Sequence, residues 1–125
     1  MNYLNHLSTI ARDNAPVGNA RIAACIVYKR RIIAYGFNQY KTHPFQKKFA
    51  KNKESIYLHA EVAAIHNAIR THGEEILKKS TLYIARIKKD QKTKKFVSGL
   101  ACPCEGCQRA ITEFEIKKVE WTENE

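Results

Sequence analysis

Two stretches, Leu58-His59-Ala60-Glu61-Val62 and Cys102-Pro103-Cys104-Glu105-Gly106-Cys107, decide how this sequence is interpreted. A histidine two positions before a carboxylate, followed later by a C-x-x-C pair, supplies donor types that zinc prefers in proteins. His59, Cys104 and Cys107 make three ligands. Catalytic zinc sites use three protein ligands and leave a fourth position to water, whereas structural sites fill all four. The spacing therefore predicts an open zinc site.

Cys102 is the candidate for a fourth ligand that would close the site. A proline fixes the backbone between Cys102 and Cys104, and a C-x-C pair chelates one zinc less readily than a C-x-x-C pair. We therefore expect Cys102 to lie near the site without binding the metal. The alternative is a closed zinc knuckle with a structural role, in which Glu61 is only a solvated helix residue.

Glu61 has a chemical role if the site is open. A carboxylate beside a metal can take a proton from water and return it to a substrate. Apolar residues recur at three- and four-residue intervals over residues 58–72, which predicts a helix with His59 and Glu61 in its first turn. The positive amino end of that helix favours an ionised carboxylate.

The composition is that of one globular domain spanning residues 1–125. Hydrophobic residues make up 44% and charged residues 27% of the chain, and its length suits one core better than two. No apolar run reaches the length of a membrane span, and the amino-terminal stretch lacks the apolar centre of a signal peptide. We therefore expect a cytoplasmic protein without a membrane partner.

The formal charge of +10, from 22 Lys/Arg and 12 Asp/Glu, favours an anionic partner without identifying it. Much of the excess lies in two runs, residues 41–53 and 86–95. The first run falls in a predicted long loop, residues 39–55, and is interleaved with aromatic residues. That pattern suits base stacking and phosphate contacts, or a solvated loop pinned by its aromatics. The second run is predicted to include an exposed hairpin tip.

Periodicity and turn residues predict an alternation of helices and strands. Residues 2–14 are expected to include a helix that covers the sheet, and the first two strands an antiparallel hairpin at one sheet edge. Asn38 closes the second strand at the rim, where it is either a substrate contact or a turn residue. Residues 122–125 are expected to be a frayed acidic tail. The predicted strands are 21–28, 31–38, 81–87, 96–97 and 116–121, and a further helix is predicted at 108–113.

This order of elements, with its H-x-E and P-C-x-x-C motifs, resembles the cytidine deaminase superfamily over nearly the whole chain. With histidine at position 59, it resembles the deoxycytidylate, tRNA-adenosine and guanine deaminase branches and their short viral or bacterial members. The resemblance implies an α/β fold, a three-layer αβα sandwich with a mixed sheet of about four to five strands. The two motif helices would lie side by side against that sheet.

The resemblance also implies zinc-dependent hydrolysis of an amino-pyrimidine nucleotide such as dCMP to its keto form, with ammonia release, by a homo-oligomer. Ala63 departs from the asparagine usual at that position in deoxycytidylate deaminases. Two alternatives remain open: a deaminase acting on single-stranded nucleic acid or tRNA, and a zinc-stabilised binding module without turnover. The implied roles are zinc ligation by His59, Cys104 and Cys107, proton transfer by Glu61, a sugar contact by Asn38 and a base contact by the Ala60 amide.

Overall fold

The computed structural model describes residues 2–13, 21–38 and 59–124. The predicted loop at 39–55 lies outside the described residues. No helix within the described ranges is long and apolar enough to cross a membrane. The elements in chain order are α1 (Tyr3–Ala11), β1 (Arg21–Tyr28), β2 (Arg31–Phe37), α2 (Ala60–His72), a 3₁₀ helix (Glu75–Lys79), β3 (Thr81–Lys89), β4 (Phe96–Gly99), α3 (Glu105–Glu113) and β5 (Lys118–Trp121).

The strands of the described residues form one mixed sheet of five. Its order is β2-β1-β3-β4, with antiparallel neighbours, while β5 pairs with β3 in parallel. Because β1 occupies one edge of β3, β4 and β5 share the other: β5 pairs with residues 81–84 and β4 with residues 86–89. The predicted mixed sheet and the position of the β1–β2 hairpin at its edge are confirmed.

Helices cover both faces of the sheet. On one face, Leu7 and Ala11 of α1 are fully buried against β1 and β3. On the other face, α2 and α3 close a larger core that contains Ile65. The neighbouring β1 residues Ala23 and Ala24 belong to these two different cores, because successive side chains of a strand point to opposite faces. The predicted αβα sandwich is confirmed.

The described residues after β5 are docked on the sheet through Thr122 and Asn124, so the prediction of a frayed tail is wrong for them. Thr122 is buried, and its backbone N–H donates to the Ile84 carbonyl at 3.1 Å. Its hydroxyl donates to the Gly99 carbonyl at 2.7 Å and accepts from the Arg86 N–H at 3.0 Å. The Thr122 carbonyl accepts from the Ala101 N–H at 3.0 Å. One threonine thus ties the end of β4, and the chain leading to α3, to β3.

The amino end of α2 lies directly on β2 at Gly36. A methyl group at Gly36 would overlap the Ala60 carbonyl oxygen and the Ala64 amide nitrogen, and would lie 2.9 Å from the carbonyl carbon of Ala63. These are backbone atoms of the first turns of α2, so they cannot swing aside as the end of a side chain could. The missing side chain at Gly36 therefore sets how deeply α2 seats against the sheet.

We expect Gly36→Ala to lower the free energy of unfolding by about 1–3 kcal/mol, the range for overpacking in a packed interior. Urea unfolding followed through the fluorescence of the single tryptophan, Trp121, would measure this loss. Gly99→Ala is the matched control: its methyl group would meet the flexible stem of Arg86 at 3.1 Å, so the loss should be smaller. Equal losses at both positions would show that the close approach at Gly36 does not constrain α2.

Candidate metal and catalytic site

Two helix amino ends meet at one end of the sheet. His59 is the N-cap residue of α2 and Cys104 the N-cap residue of α3, with Cys107 in the first turn of α3. The predicted helix at 108–113 therefore begins three residues earlier, at Glu105. Both helices run back along the sheet from the end where Asn38 follows β2, and the motif residues face each other there.

The donor atoms of the three predicted ligands converge. Nδ1 of His59 lies 3.4 Å from Sγ of Cys104 and 3.3 Å from Sγ of Cys107, and the three donor atoms lie within 4.8 Å of one another. Tetrahedral zinc, with bonds of about 2.05 Å to nitrogen and 2.3 Å to sulfur, would hold such atoms about 3.6 Å apart. The two nitrogen–sulfur distances therefore suit one zinc ion after lengthening by about 0.2–0.3 Å.

Cys102 is exposed and does not belong to the His/Cys/Asp/Glu group that could hold a metal within the described part of the chain. Pro103 between the two cysteines is buried, and its carbonyl accepts a hydrogen bond from Nε2 of Gln108 at 2.9 Å. This bond fastens the entry of α3 to its first turns. The loop geometry thus agrees with the expectation that Cys102 lies beside the site rather than in it.

Neither N-cap side chain caps its helix. His59 and Cys104 make no side-chain cap hydrogen bond, although capping by an N-cap side chain contributes about 1 kcal/mol to a helix. Both side chains point into the donor cluster instead. The amides of the two first turns add positive potential there, which favours thiolate over thiol.

The contacts among the donors also set where protons reside. The hydrogen bond from Cys107, assisted by His59, lowers the pKa of Cys104 to about 4. The same contact, together with burial, raises the pKa of Cys107, and the hydrogen bond with Cys104 raises the pKa of His59. One proton is thus retained at the thiol pair, with Cys104 as the thiolate. Ligation of a metal by both sulfurs requires release of that proton.

Glu61 is enclosed in the first turn of α2. It is 5% exposed, and the nearby backbone N–H of Glu61 and the Cys107 side chain only partly offset the effect of burial on its pKa. Burial raises the pKa of Glu61, which brings a carboxyl group closer to the range where it can both accept and donate a proton. The closed-knuckle alternative requires a solvated Glu61, and the enclosed carboxyl argues against it.

Asn38 is a buried part of the rim. Its side-chain Oδ1 accepts a hydrogen bond from the Ile22 N–H at 3.1 Å, and its own N–H donates to the Ile22 carbonyl at 3.3 Å. Asn38 therefore extends the pairing of β2 with β1 by one residue, so it is more than a turn residue. Ala60 is fully buried and offers its amide in the first turn of α2. Their contacts with a substrate stay predictions.

Arg86 is a feature that the sequence patterns did not single out. It lies on β3 opposite Ile22 of β1 and Gly99 of β4. Ile22 packs against the core beneath α2 and α3, and directly opposed residues of neighbouring strands share a face. The Arg86 side chain therefore projects from the metal-site face of the sheet, at the end where the two helices begin.

The Arg86 guanidinium lacks a counter-charge in the described part of the chain. Its stem passes over Gly99, so that a Cβ added at Gly99 would lie 3.1 Å from Arg86 Cγ. The Arg86 Nε is enclosed without a hydrogen-bond partner. No ion pair with a described carboxylate is formed by Arg86. The signal in the sequence was a charged residue directly after the apolar residues of β3, and it was obscured because Arg86 is also the first residue of the basic run 86–95.

The chain matches the family model for the cytidine and deoxycytidylate deaminase zinc-binding region over residues 1–123. No curated protein matches it by sequence. Among solved structures, guanine deaminase from Bacillus subtilis is 25% identical with a TM-score of 0.60. That match covers 97% of this chain and 62% of the guanine deaminase, so the chain spans less than two thirds of that protein's length.

Two further structures share the fold at lower identity. The dCMP deaminase of cyanophage S-TIM5, in complex with dCMP and dUMP, is 18% identical with a TM-score of 0.61 over 95% of this chain and 76% of that one. A tRNA:A34 deaminase that edits A to I at the wobble position is 21% identical with a TM-score of 0.54 over 95% and 73%. The predicted resemblance is confirmed, and this chain belongs to the cytidine and deoxycytidylate deaminase family.

Proposed function

We propose that the protein is a zinc-dependent hydrolytic deaminase that converts an amino-pyrimidine nucleotide, dCMP or a related cytosine nucleotide, to its keto form with release of ammonia. The observation that carries this proposal is the convergence of one imidazole and two sulfur donors on two helix starts, with the enclosed carboxyl of Glu61 beside them. Three protein ligands suit an open, catalytic zinc site.

In this proposal His59, Cys104 and Cys107 hold the ion, which when bound supplies Lewis acidity and lowers the pKa of water. Glu61 accepts one proton from water and passes it to the ring nitrogen, which keeps it in the keto product; it then takes the remaining proton of the added hydroxyl and delivers it to the departing amine. Its burial keeps bulk water away from the proton that it carries. The Ala60 amide receives the base carbonyl, and Asn38 contacts the sugar.

Arg86 supports a substrate that carries a single phosphate group. A mononucleotide needs one or two cations near the site, whereas a polymer is tracked by many. Arg86 offers one guanidinium on the metal-site face, without a carboxylate partner among the described residues. Lys92, Lys94 and Lys95 are exposed at the turn between β3 and β4, beyond the paired residues. We infer that Arg86 contacts the phosphate and that these lysines are peripheral.

A deaminase acting on single-stranded nucleic acid or tRNA is the second candidate. The structural likeness to a tRNA:A34 deaminase and the basic β3–β4 turn favour it. We further propose a homo-oligomer, as the family resemblance implies, and a cytoplasmic location, because thiolate ligands persist best in a reducing compartment.

We expect elemental analysis to find about one zinc per chain, and His59→Ala, Cys104→Ala or Cys107→Ala each to lose most of it, because three-ligand binding is disrupted when one ligand is removed. Cys102→Ala is the matched control, a cysteine two residues from a ligand, and it should retain the metal. Zinc loss in Cys102→Ala as complete as in Cys104→Ala would establish a closed site and remove the basis for catalysis.

We expect Glu61→Gln to keep its zinc while turnover falls by ~10²-fold or more, the usual scale for a lost general acid–base group. Ammonia release from a panel of nucleosides, nucleotides and oligonucleotides would measure turnover. Glu105→Gln is the control, because Glu105 occupies the first turn of α3 but is exposed, and it should leave turnover unchanged. Full activity of Glu61→Gln on an accepted substrate would assign the proton transfer to another group.

We expect Arg86→Gln to raise the KM for dCMP by about tenfold, the effect of losing a charge-assisted hydrogen bond, while deoxycytidine, which lacks the phosphate, is unaffected. Lys92→Gln, Lys94→Gln and Lys95→Gln combined should leave dCMP turnover within about threefold, since exposed charges contribute little. An equal effect of Arg86→Gln on dCMP and deoxycytidine would exclude a phosphate contact. Efficient oligonucleotide deamination that the triple variant abolishes would favour the nucleic-acid editor.

A further inference from the structure

A cavity lies at the opposite end of the sheet from the metal site. It has a volume of about 300 Å³ and includes Val27, Thr81 and Tyr83 in its lining, where β1 ends and β3 begins. The metal site lies toward Ile22, five residues back along β1, or about 17 Å at the rise of a strand. Val27 and Tyr83 pack with the core under α1, so this cavity, hereafter the basic cleft, opens on the other face of the sheet.

Five basic residues from three separate elements border the basic cleft. Lys29 and Arg30 form the two-residue turn between β1 and β2, Lys79 ends the 3₁₀ helix, and Lys117 and Lys118 lie at the start of β5. The turn residues have φ values of 49° and 66°, the left-handed conformation of a type I′ hairpin turn. The fold, rather than a basic run in the sequence, therefore brings this charge together.

Few carboxylates neutralise the basic cleft. Among the described residues, the ion pair formed by its lining is that of Lys118 with Glu120, at 3.4 Å. Lys78, which does not line the cleft, shows the contrast, because it pairs with both Glu75 at 3.5 Å and Glu115 at 3.4 Å. Four of the five lining cations thus have no carboxylate partner in the described part of the chain, and their positive potential adds up.

The wall of the basic cleft is held in place by aromatic residues. The rings of Tyr3 and Tyr83 lie 4.8 Å apart, and the Tyr3 hydroxyl donates to the Arg30 carbonyl at 3.0 Å. That bond ties the β1–β2 turn to the start of α1. The first turn of α1 contains no acidic residue, so the amino end of the helix adds to the positive potential.

We propose that the basic cleft is a binding site for a compact oligophosphate, a chain of two or three linked phosphate groups. Phosphate oxygens accept charge-assisted hydrogen bonds from lysine and arginine, and the Thr81 hydroxyl lies in the same lining. Five cations and one paired carboxylate leave a net charge of about four, comparable to the charge of a triphosphate. The cations surround one cavity instead of following a track, which favours a short anion over a nucleic-acid backbone.

The test is calorimetric titration of the zinc-loaded protein with inorganic tripolyphosphate, together with amide chemical-shift mapping. We expect one site per chain, with shifts at Lys29, Arg30 and Thr81. The double variant Lys79→Gln/Lys117→Gln, at two exposed positions, should weaken binding by at least about tenfold, through the loss of two charge-assisted contacts. Lys92→Gln/Lys94→Gln removes the same charge from the β3–β4 turn, and it should change binding by less than about twofold because exposed distant charges are screened.

Three outcomes would overturn the proposal. Equal weakening by both double variants would mean that tripolyphosphate senses only the overall charge. Shifts confined to the starts of α2 and α3 would place the anion at the metal site. Failure of tripolyphosphate to bind, combined with single-stranded oligonucleotide binding that Lys79→Gln/Lys117→Gln abolishes, would assign the cleft to nucleic acid.

Discussion

The contact between the first turns of α2 and Gly36 is the constraint on which the site depends. With no side chain at Gly36, the backbone of α2 seats directly on β2, and His59 arrives at the N-cap position over the end of the sheet. The start of α3, which carries Cys104 and Cys107, must then lie at the same end of the sheet. Thr122 fixes that position, because its hydroxyl binds the Gly99 carbonyl at the end of β4 and its carbonyl binds the Ala101 N–H on the way to α3.

The sequence was most informative where residues follow a metal-ligand spacing or a regular hydrophobic pattern. Ligand spacing predicted that His59, Cys104 and Cys107 lie together, because a C-x-x-C pair and a distant histidine are useful to a metal only when the fold brings them close. Their donor atoms do converge. The layers were predictable for a different reason: alternation along β1 separates Ala23 from Ala24 into two cores, and each core requires a helix layer above it.

The features that the sequence did not predict are single residues acting through long-range contacts. Thr122 lies in a polar stretch without periodicity, and its partners Gly99 and Arg86 are 23 and 36 residues away. The face of the sheet on which Arg86 lies becomes known only from its register with Ile22. The basic cleft is assembled from three separate elements, so no window along the chain contains it. Such features follow from topology, which local patterns do not specify.

The two helix starts without a side-chain cap show that the site lowers the stability of the fold. Serine, threonine, aspartate or asparagine at an N-cap stabilises a helix by about 1 kcal/mol over alanine, and the chain places His59 and Cys104 there without a cap hydrogen bond. Glu61 is buried beside them, although burial disfavours its ionised form. Each choice is unfavourable for an isolated fold, and each is explained by the donor cluster. Because metal binding would offset these costs, the stability of this end of the sheet should be coupled to occupancy of the site.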